Sequence, residues 1–324
     1  MKNSTEEDLP DISDIHLAHA RIRHRVRLTP VLNDPFLDEA MGCRLYCKCE
    51  NLQRTGAFKF RGASNAIACL GDQGVQGDVA THSSGNHGAA LALAARLDGR
   101  TAHVVMPENS SRMKIEAVRS YGGQVHFCGP TNEARAVELE KLVCQGMIPV
   151  HPYDDARIIA GQGTAALELE QEVPTLEQII TPLGGGGLVS GTAIAAGAWG
   201  VEVYAVEPDG AADTVASLQQ GKIIDQFSPD TIADGLRAIV GIRNFHVIST
   251  RVSRVLTVSD DDIRKAMILF WQKLKILIEP SSATVIAAVR NHPEIFAGRK
   301  VGALISGGNI HPAEWLKLTA TLAQ

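Results

Sequence analysis

Residues 178–198, QIITPLGGGGLVSGTAIAAGA, decide the fold class of this 324-residue chain. The apolar run from Gln178 to Leu183 predicts a strand, and the small residues from Leu188 to Ala198 predict a helix. The four glycines between them are Gly184, Gly185, Gly186 and Gly187. Glycines let a ligand approach the bare backbone, and the N-terminus of a helix offers N–H groups to an anion. The stretch therefore predicts a phosphate-binding loop, with a flexible turn as the alternative.

Apolar runs and helical patterns alternate along the whole chain, which is typical of α/β folds with largely parallel sheets. The predicted strands include Arg44 to Cys49 and Lys300 to Ile305, and the predicted helices include Asp260 to Leu274. We predict two doubly wound open-sheet α/β domains, the smaller inserted into the larger. Residues 1–76 and 151–324 form the predicted large domain, and residues 77–150 form the small one. Ligands in such sheets bind at the carboxyl ends of strands, where the remaining motifs fall.

The composition excludes several classes of function. It is 45% hydrophobic and 21% charged, as is ordinary for a globular protein. The net charge of −5 and the pI near 6.1 argue against nucleic acid as a partner, because binding to a phosphate backbone needs a basic surface. No uninterrupted apolar run reaches about 18 residues, and the polar, acidic N-terminus lacks a signal-peptide pattern. We expect a cytoplasmic protein without a membrane span.

The six cysteines are expected to be mostly reduced thiols in that compartment. They are Cys43, Cys47, Cys49, Cys69, Cys128 and Cys144. Cys47 and Cys49 share one face of a predicted strand, whereas a zinc site would need C-x-x-C spacing or nearby histidines.

Residues 55–62, TGAFKFRG, place Lys59 between Phe58 and Phe60. Apolar neighbours disfavour the ammonium form, so a lysine in this setting can become a neutral nucleophile. For this segment alone, a surface lysine at the start of a helix is the alternative.

Residues 81–88, THSSGNHG, follow a predicted strand and precede a predicted helix. Hydroxyls, an amide and free N–H groups at a helix N-terminus suit the recognition of a carboxylate. The alternatives are an ordinary N-cap formed by Ser83 or Ser84 and a structural role for His87. After the last predicted strand, residues 306–309 read SGGN. The Ser306 hydroxyl can bind a ring nitrogen there or close a turn.

In their order and chemistry, these motifs resemble the fold type II pyridoxal-phosphate enzymes. Within that family the chain is most similar to the serine racemase and serine/threonine dehydratase group. The resemblance extends from about Leu28 to Asn309 and includes AGQGT at 160–164 and LIEPS at 277–281. It implies a large domain that binds pyridoxal 5'-phosphate (PLP) and a small domain that closes over the substrate.

The resemblance also implies roles for the motif residues. Lys59 is expected to hold PLP as a Schiff base and to act as the base on one face, and Ser84 is expected to be the acid/base on the other. The remaining implied cofactor contacts are Phe58 beside the ring, Asn86 at the ring hydroxyl, Gly184 to Gly187 and Leu188 at the phosphate, and Ser306 at the pyridine nitrogen. The residues implied around the substrate carboxylate are Ser83, Ser84, Asn86 and His87. A hydroxyl at Ser306, unlike an acidic residue, is not expected to keep the ring nitrogen protonated.

A metal site is a further implication of the resemblance. Residues 207–213, EPDGAAD, match the segment through which this group binds Mg²⁺ or Ca²⁺. The implied ligands are the side chains of Glu207 and Asp213 and the carbonyl of Ala211, and oxygen ligands suit these hard cations. An acidic turn is the alternative.

Residues 233–241, ADGLRAIVG, depart from the pattern of serine-acting relatives, which usually have Ser-Ser where this chain has Ala238 and Ile239. Because an apolar pocket accepts apolar groups, we predict a substrate with a larger and less polar β-substituent, such as threonine or 3-phenylserine. Arg135 falls near the position where related enzymes hold acidic substrates, so 3-hydroxyaspartate is the alternative.

The predicted function is that of a PLP-dependent ammonia-lyase. Its substrate would be a 3-hydroxy-2-amino acid of the threonine or serine type, and its products a 2-oxo acid and ammonia. An amino-acid racemase (kept open by Ser84), a 3-hydroxyaspartate dehydratase and a non-catalytic PLP-binding protein are the alternatives. The expected partner is a small-molecule amino acid rather than nucleic acid or membrane, and a homodimer is an assembly that the sequence allows.

Overall fold

The computed structural model describes residues 9–83 and 85–320, apart from the side chain of Asn132. The predictions made for Ser84 therefore lie outside the described residues. The strands are Val31–Leu32 (β1), Arg44–Cys49 (β2), Val79–His82 (β3), Ala102–Pro107 (β4), Gln124–Cys128 (β5), Ile148–Pro149 (β6), Gln178–Pro182 (β7), Glu202–Pro208 (β8), Arg254–Val258 (β9) and Lys300–Ile305 (β10).

Helices lie between most of these strands. They are Ile12–Ile22 (α1), Pro35–Met41 (α2), Lys59–Asp72 (α3), Asn86–Leu97 (α4), Arg112–Ser120 (α5), Asn132–Cys144 (α6), Ala156–Glu172 (α7), Gly187–Gly197 (α8), Asp213–Gln220 (α9), Ile242–Arg251 (α10), Asp260–Leu274 (α11), Pro280–Asn291 (α12), Pro293–Phe296 (α13) and Pro312–Thr319 (α14).

The strands form two sheets. The larger has the order β1-β2-β10-β7-β8-β9, in which β1 is antiparallel to β2 and the other neighbours are parallel. The smaller has the order β5-β4-β3-β6 and is parallel throughout. Strands of the larger sheet lie on both sides of the segment that forms the smaller one. The predicted α/β class with an inserted smaller unit is confirmed, whereas the boundaries at 76/77 and 150/151 stay a prediction.

Alternation along β7 shows how the larger sheet is covered on both faces. Ile180 packs into a core with Phe270 of α11 and Ile286 of α12, whereas Ile179 packs on the opposite face with Ile194 of α8. Successive side chains of a strand point to opposite faces, so two adjacent isoleucines serve both cores. Full burial of each such side chain contributes about 1.5–3 kcal/mol.

Two glycines allow α3 and α7 to pack closely. A Cβ atom at Gly161 of α7 would lie 2.7 Å from the Cα of Gly62 on α3. Helix α3 also packs against α4, which covers the smaller sheet. The helix that begins at Lys59 therefore contacts both units of the fold.

A buried ion cluster holds the first turn of α3. Arg61 is fully buried, and its guanidinium donates to Glu50 at 2.7 Å and to Glu168 of α7 at 2.6 Å. The ammonium of Lys48, on β2, lies 2.9 Å from the Glu168 carboxylate. Removal of one partner would leave an unpaired buried charge, which costs about 3–5 kcal/mol. The cluster thus fixes the start of α3, and Lys59 with it, against β2 and α7.

In the described ranges, no helix is both long and apolar enough to cross a membrane. The six cysteines carry free thiols, and in the same ranges no group of three or more His, Cys, Asp or Glu side chains is placed to share a metal ion.

Candidate active site

The four-glycine loop joins the end of β7 to the start of α8. Gly186 has φ +95° and precedes the first residue of the helix, Gly187. The amides of Gly184, Gly185 and Gly186 have no acceptor among the described residues. The first N–H groups of α8, which include that of Leu188, also lack an intrahelical partner. Several free donors at a helix N-terminus form a site for an anion, and a phosphate fits it.

Neighbouring residues leave no room for side chains along this loop. A Cβ atom at Gly185 would overlap the Tyr153 ring, and one at Gly187 would lie 3.0 Å from the Tyr153 carbonyl oxygen. On the other side, the Asn244 side-chain amide donates to the Tyr153 carbonyl at 3.1 Å and to the Gly185 carbonyl at 2.8 Å. Tyr153 and Asn244 therefore fix the position of the loop.

Lys59 is the first residue of α3 and is partly buried. Its Nζ atom donates to the Pro152 carbonyl at 3.0 Å and lies 5.1 Å from the centroid of the Phe58 ring and 6.0 Å from that of the Tyr153 ring. Loss of hydration lowers the pKa of Lys59 to about 8. About a tenth of this amine is therefore neutral at pH 7, and the neutral amine is the form that acts as a nucleophile.

Ser306 follows β10 and is buried. Its hydroxyl oxygen lies 3.0 Å from that of Ser282 on α12, and its carbonyl accepts a hydrogen bond from the Phe58 amide at 2.9 Å. Ala57 and Gly307 form an isolated antiparallel bridge beside this contact. The end of β10 thus pairs with the segment that carries Lys59, and this pairing brings Phe58 and Lys59 next to Ser306.

Asn86, the first residue of α4, belongs to a partly buried amide–carboxylate network. Its side-chain NH₂ donates to Glu279 at 3.0 Å, and its amide oxygen accepts from Asn309 at 2.8 Å. The Asn309 backbone amide donates to the same carboxylate at 3.1 Å. Burial, followed by the charge of Asp234, raises the pKa of Glu279 to about 7.

Sequence reasoning did not place Glu279 or Asn309 among the site residues. The available signal was the position of Glu279 directly before Pro280, the first residue of α12, in a stretch of otherwise apolar and small residues. A carboxylate in such a segment is usually bound by specific donors.

The turn after β3 carries the residues predicted to hold the substrate carboxylate. The Ser83 hydroxyl accepts a hydrogen bond from the Gly85 amide at 3.2 Å. His87 is buried, and neither ring nitrogen has a side-chain partner among the described residues, while the Val150 backbone interacts with the ring. Burial, and then the charge of Lys59, lower the pKa of His87 well below its ordinary value. The ring is therefore neutral.

Two more histidines interact electrostatically with these charged residues, His82 with Arg135 and His151 with Lys59. Burial, followed by the charges of His151 and Arg135, lowers the pKa of His82 to about 4. The rings of His82 and His151 are edge-on, with centroids 5.8 Å apart. Nδ1 of His151 accepts the backbone amide of Asp154 at 2.8 Å, so neutral His151 carries its proton on Nε2. Arg135 is partly buried, and its Nε has no acceptor in the described part of the chain.

Segment 233–241 lies against the glycine loop. The Gly241 amide donates to the Gly185 carbonyl at 3.1 Å, and a Cβ atom at Gly184 would lie 3.0 Å from the Cα of Leu236. Ala238 and Ile239, between these contacts, are half-buried. In the same segment, Asp234 forms an ion pair with Lys114 of α5, which links the segment to the smaller unit.

The candidate metal ligands include two buried carboxyl groups. Glu207 accepts from the amides of Thr214 and Val215 at 3.1 and 3.0 Å, and Asp213 Oδ2 accepts from the Val240 amide at 3.0 Å. Asp213 Oδ1 is buried and has no partner among the described residues.

The charges of these groups are costly without a cation. Burial and the Asp213 charge raise the pKa of Glu207 to about 8, and burial raises that of Asp213 to about 6. A hard divalent cation bound by Glu207, Asp213 and the Ala211 carbonyl would relieve this cost, so the residues fit such an ion.

A lysine with a lowered pKa, a donor-rich anion loop and a buried hydroxyl at the end of a parallel strand together define a PLP-binding enzyme. Residues 22–307 match the family model described as pyridoxal-phosphate dependent enzyme, and the chain belongs to this family.

Three relatives show the breadth of that family. The chain is 42% identical over 305 residues to a beta-hydroxyaspartate dehydratase of Paracoccus denitrificans (93% of this chain, 97% of the relative). It is 45% identical over 309 residues to a serine racemase of Dictyostelium discoideum (92% and 94%). The solved structure of a threonine deaminase from T.th. matches with a TM-score of 0.89 at 37% identity (93% and 99%).

These relatives confirm the predicted family group and PLP as the cofactor. They also confirm the predicted class of hydroxy-amino-acid dehydratase, together with the racemase and 3-hydroxyaspartate alternatives, as the activities of this group. The roles of the individual site residues stay predictions.

Proposed function

We propose that this chain is an ammonia-lyase that dehydrates 3-hydroxyaspartate and releases a 2-oxo acid and ammonia. The partly buried Arg135, with an Nε that lacks an acceptor among the described residues, carries the proposal. A second carboxylate on the substrate would give this guanidinium a charge-assisted partner. The Paracoccus relative named as a beta-hydroxyaspartate dehydratase supports the same assignment.

The described residues suit the chemistry that PLP supplies when bound, which is an electron sink for the substrate. Lys59 would hold the cofactor covalently, and its amine would remove the Cα proton of the substrate. The amides of Gly184 to Gly187 and Leu188 would bind the phosphate, while Ser306 and Asn86 would contact the ring. The first substrate carboxylate would bind at Ser83 and His87, and the second at Arg135.

A second candidate is an amino-acid racemase that uses the same site. Its support is the sequence position of Ser84 opposite Lys59 in the family pattern and the Dictyostelium relative named as a serine racemase. Chiral chromatography of the recovered amino acid separates the two activities, because a racemase returns both enantiomers.

A substrate panel tests the proposal against the apolar-pocket hypothesis based on Ala238 and Ile239. The release of ammonia and 2-oxo acid is measured with serine, threonine, 3-phenylserine and each stereoisomer of 3-hydroxyaspartate. Our proposal expects the highest kcat/KM for one isomer of 3-hydroxyaspartate. A higher value for threonine or 3-phenylserine would contradict it and would support the apolar pocket.

Two further properties belong to the proposal. The fit of Glu207, Ala211 and Asp213 to an oxygen-bound cation supports Mg²⁺ or Ca²⁺ as a second bound group. We also expect a homodimer in the cytoplasm, which light scattering of the purified protein and fractionation of the source cells would test.

A further inference from the structure

Two histidines contact each other on the smaller sheet, outside the candidate active site. His103, on β4, is buried, and His126, on the edge strand β5, is half-buried. Nδ1 of His103 lies 2.9 Å from Nε2 of His126, and the ring centroids are 5.1 Å apart. Nε2 of His103 lies 3.6 Å from the carboxylate of Asp78, the residue directly before β3. This row of three groups therefore joins the edge strand to the start of β3.

The contact between the rings limits how many protons the pair can carry. In a hydrogen bond between two ring nitrogens, one nitrogen donates and the other accepts, so a single proton lies between them. The neutral pair meets this condition. A pair with one extra proton also meets it, and the Asp78 carboxylate would balance that charge. A pair with two extra protons has an N–H group on each side of the contact, so the second extra proton can bind only if the rings separate.

The charges that act on His126 come from His103 and from Glu138 of α6. Burial, followed by the charge of His103, lowers the pKa of His126, and Glu138 opposes this change only in part. The Glu138 carboxylate is itself paired with Lys141 of the same helix at 2.8 Å. The surroundings of His126 therefore disfavour a second positive charge at the pair.

The histidine pair lies on the face of the sheet that α6 covers. His126 is paired with Val105 in the register of β4 and β5, and His103 is two residues from Val105. Residues two apart on a strand share a face, so these three side chains point to the same side of the sheet. Leu142 of α6 packs with Val105 and Cys128 in one apolar cluster. Helix α6 therefore packs on the strands that the histidine pair joins.

The same helix carries Arg135, the residue proposed to bind the second carboxylate of the substrate. Arg135 and Glu138 are three residues apart, so they lie on one face of α6. The charges of both act on Cys128, the last residue of β5. A displacement of β5 would therefore change the surroundings of the face of α6 that carries Arg135.

We propose that the contact between His103 and His126 is an acid-sensitive contact that holds β5 and α6 in place, and that uptake of a second extra proton breaks it. Acid should then loosen β5 and α6 before it loosens the larger sheet. The link to substrate binding rests on the proposed function, in which Arg135 binds a carboxylate.

The direction of the pH dependence follows from the disfavoured proton on His126. A pKa below the ordinary value of 6.5 means that the folded state binds this proton less well than the unfolded state. The contribution of the contact to stability is therefore complete above pH 6.5 and is lost as the pH falls below that value.

Amide hydrogen exchange of the purified holoenzyme, followed by mass spectrometry, tests the proposal. After correction for the intrinsic rate, peptides from β5 and α6 should exchange roughly tenfold faster at about pH 5 than at about pH 8, because one proton changes an opening equilibrium by up to about tenfold per pH unit. His126→Gln removes the titrating ring and retains an amide that can accept from His103, so its exchange should vary little with pH. His16→Gln, on the exposed face of α1, is the matched control and should behave like the wild type.

Side-chain ¹⁵N NMR of the wild-type protein gives a test that needs no variant. We expect a single proton between the two rings near neutral pH, and two imidazolium rings only where β5 and α6 exchange rapidly. Two imidazolium rings in protein whose β5 and α6 remain protected would overturn the proposal. The same pH dependence of exchange in the wild type and in His126→Gln would also overturn it.

The KM for 3-hydroxyaspartate separates this contact from the proposed function. On acidification from about pH 7 to about pH 5.5, the KM of the wild type should rise at least about threefold more than that of His126→Gln. An equal rise in both proteins, together with the expected exchange result, would overturn the role of Arg135 and support the histidine contact alone. Failure of the wild type to act on 3-hydroxyaspartate at any pH would overturn the proposed function, whatever the exchange result.

Discussion

The Nζ atom of Lys59 donates a hydrogen bond to the carbonyl oxygen of Pro152 at 3.0 Å. The residue after Pro152 is Tyr153, whose ring and carbonyl border Gly185 and Gly187 of the anion loop. One short segment therefore contacts both the amine that would hold PLP and the loop that would bind its phosphate. This arrangement fixes the distance between the two groups that we propose as anchors of the cofactor.

The lowered pKa of Lys59 predicts how cofactor-free protein takes up PLP. Burial lowers this pKa to about 8, so about a tenth of the amine is neutral at pH 7. Because only the neutral amine reacts, the rate constant for the appearance of the visible absorption band should rise with pH to a midpoint near 8. A midpoint near the ordinary lysine value of 10.5 would show that the site does not perturb the amine.

Arg135→Ala tests how the substrate is recognised. Loss of a charge-assisted hydrogen bond removes about 1.5–3 kcal/mol, so kcat/KM for 3-hydroxyaspartate should fall roughly 10- to 100-fold. Turnover of serine, which has no second carboxylate, should change little. Arg112→Ala on the exposed face of α5 is the control. Equal losses for both substrates would indicate that Arg135 supports the fold rather than the second carboxylate.

Replacement of Gly185 should lower the affinity of the protein for PLP. In Gly185→Ala the new methyl group overlaps the Tyr153 ring, so either the loop or Tyr153 must move. We expect PLP affinity, measured by titration of the absorption band, to fall at least about tenfold, which corresponds to about 1.4 kcal/mol. Gly71→Ala, where a Cβ atom meets nothing closer than 3.9 Å, is the control. If the double variant Gly185→Ala/Tyr153→Ala recovers no affinity, the proposed steric cause is wrong.

Glu279 predicts a pH dependence of stability. Its pKa is raised from 4.5 to about 7 by burial and by Asp234, so the folded state favours the protonated form. This contribution to the free energy of unfolding is complete below pH 4.5 and is lost as the pH rises through 7. Relative to Glu279→Gln, the wild type should lose on the order of 3 kcal/mol between about pH 4.5 and about pH 8 in denaturant titrations. A constant difference between wild type and Glu279→Gln across this pH range would refute the assignment.

The cation site predicts a metal-dependent change in thermal stability. Mg²⁺ or Ca²⁺ at about 100 times its dissociation constant should stabilise the folded state by about 2.7 kcal/mol and raise the melting temperature. Asp213→Asn should abolish this increase, whereas Asp209→Asn, an exposed carboxylate in the same loop, should retain it. An equal increase in both variants would place the bound ion elsewhere.

Regular elements with clear periodicity are predictable from the sequence. The strands at Arg44–Cys49 and Lys300–Ile305 and the helix at Asp260–Leu274 have the bounds that the sequence predicts. Helices α3 and α7 are not predicted as elements, because their glycines resemble signals for turns. Gly62 and Gly161 instead allow two helices to pack closely, and that contact depends on tertiary structure.

The candidate site likewise contains residues with a local sequence signal and residues whose role depends on tertiary contacts. Lys59, Asn86, the four glycines and Ser306 are recognisable because their motifs are local. Glu279, Asn309, Tyr153 and Ser282 act through contacts with residues distant in the sequence, such as the hydrogen bond between Asn86 and Glu279. No local spacing predicts these contacts.

Reduction of the purified protein with borohydride, followed by peptide mass spectrometry, tests the central claim most directly. If Lys59 holds PLP, the visible absorption band disappears and the mass of the reduced cofactor is found on the peptide that contains Lys59. Lys59→Ala should carry no such mass. A colourless wild-type protein, or a cofactor mass attached to another lysine, would contradict the assignment of Lys59 as the residue that holds PLP.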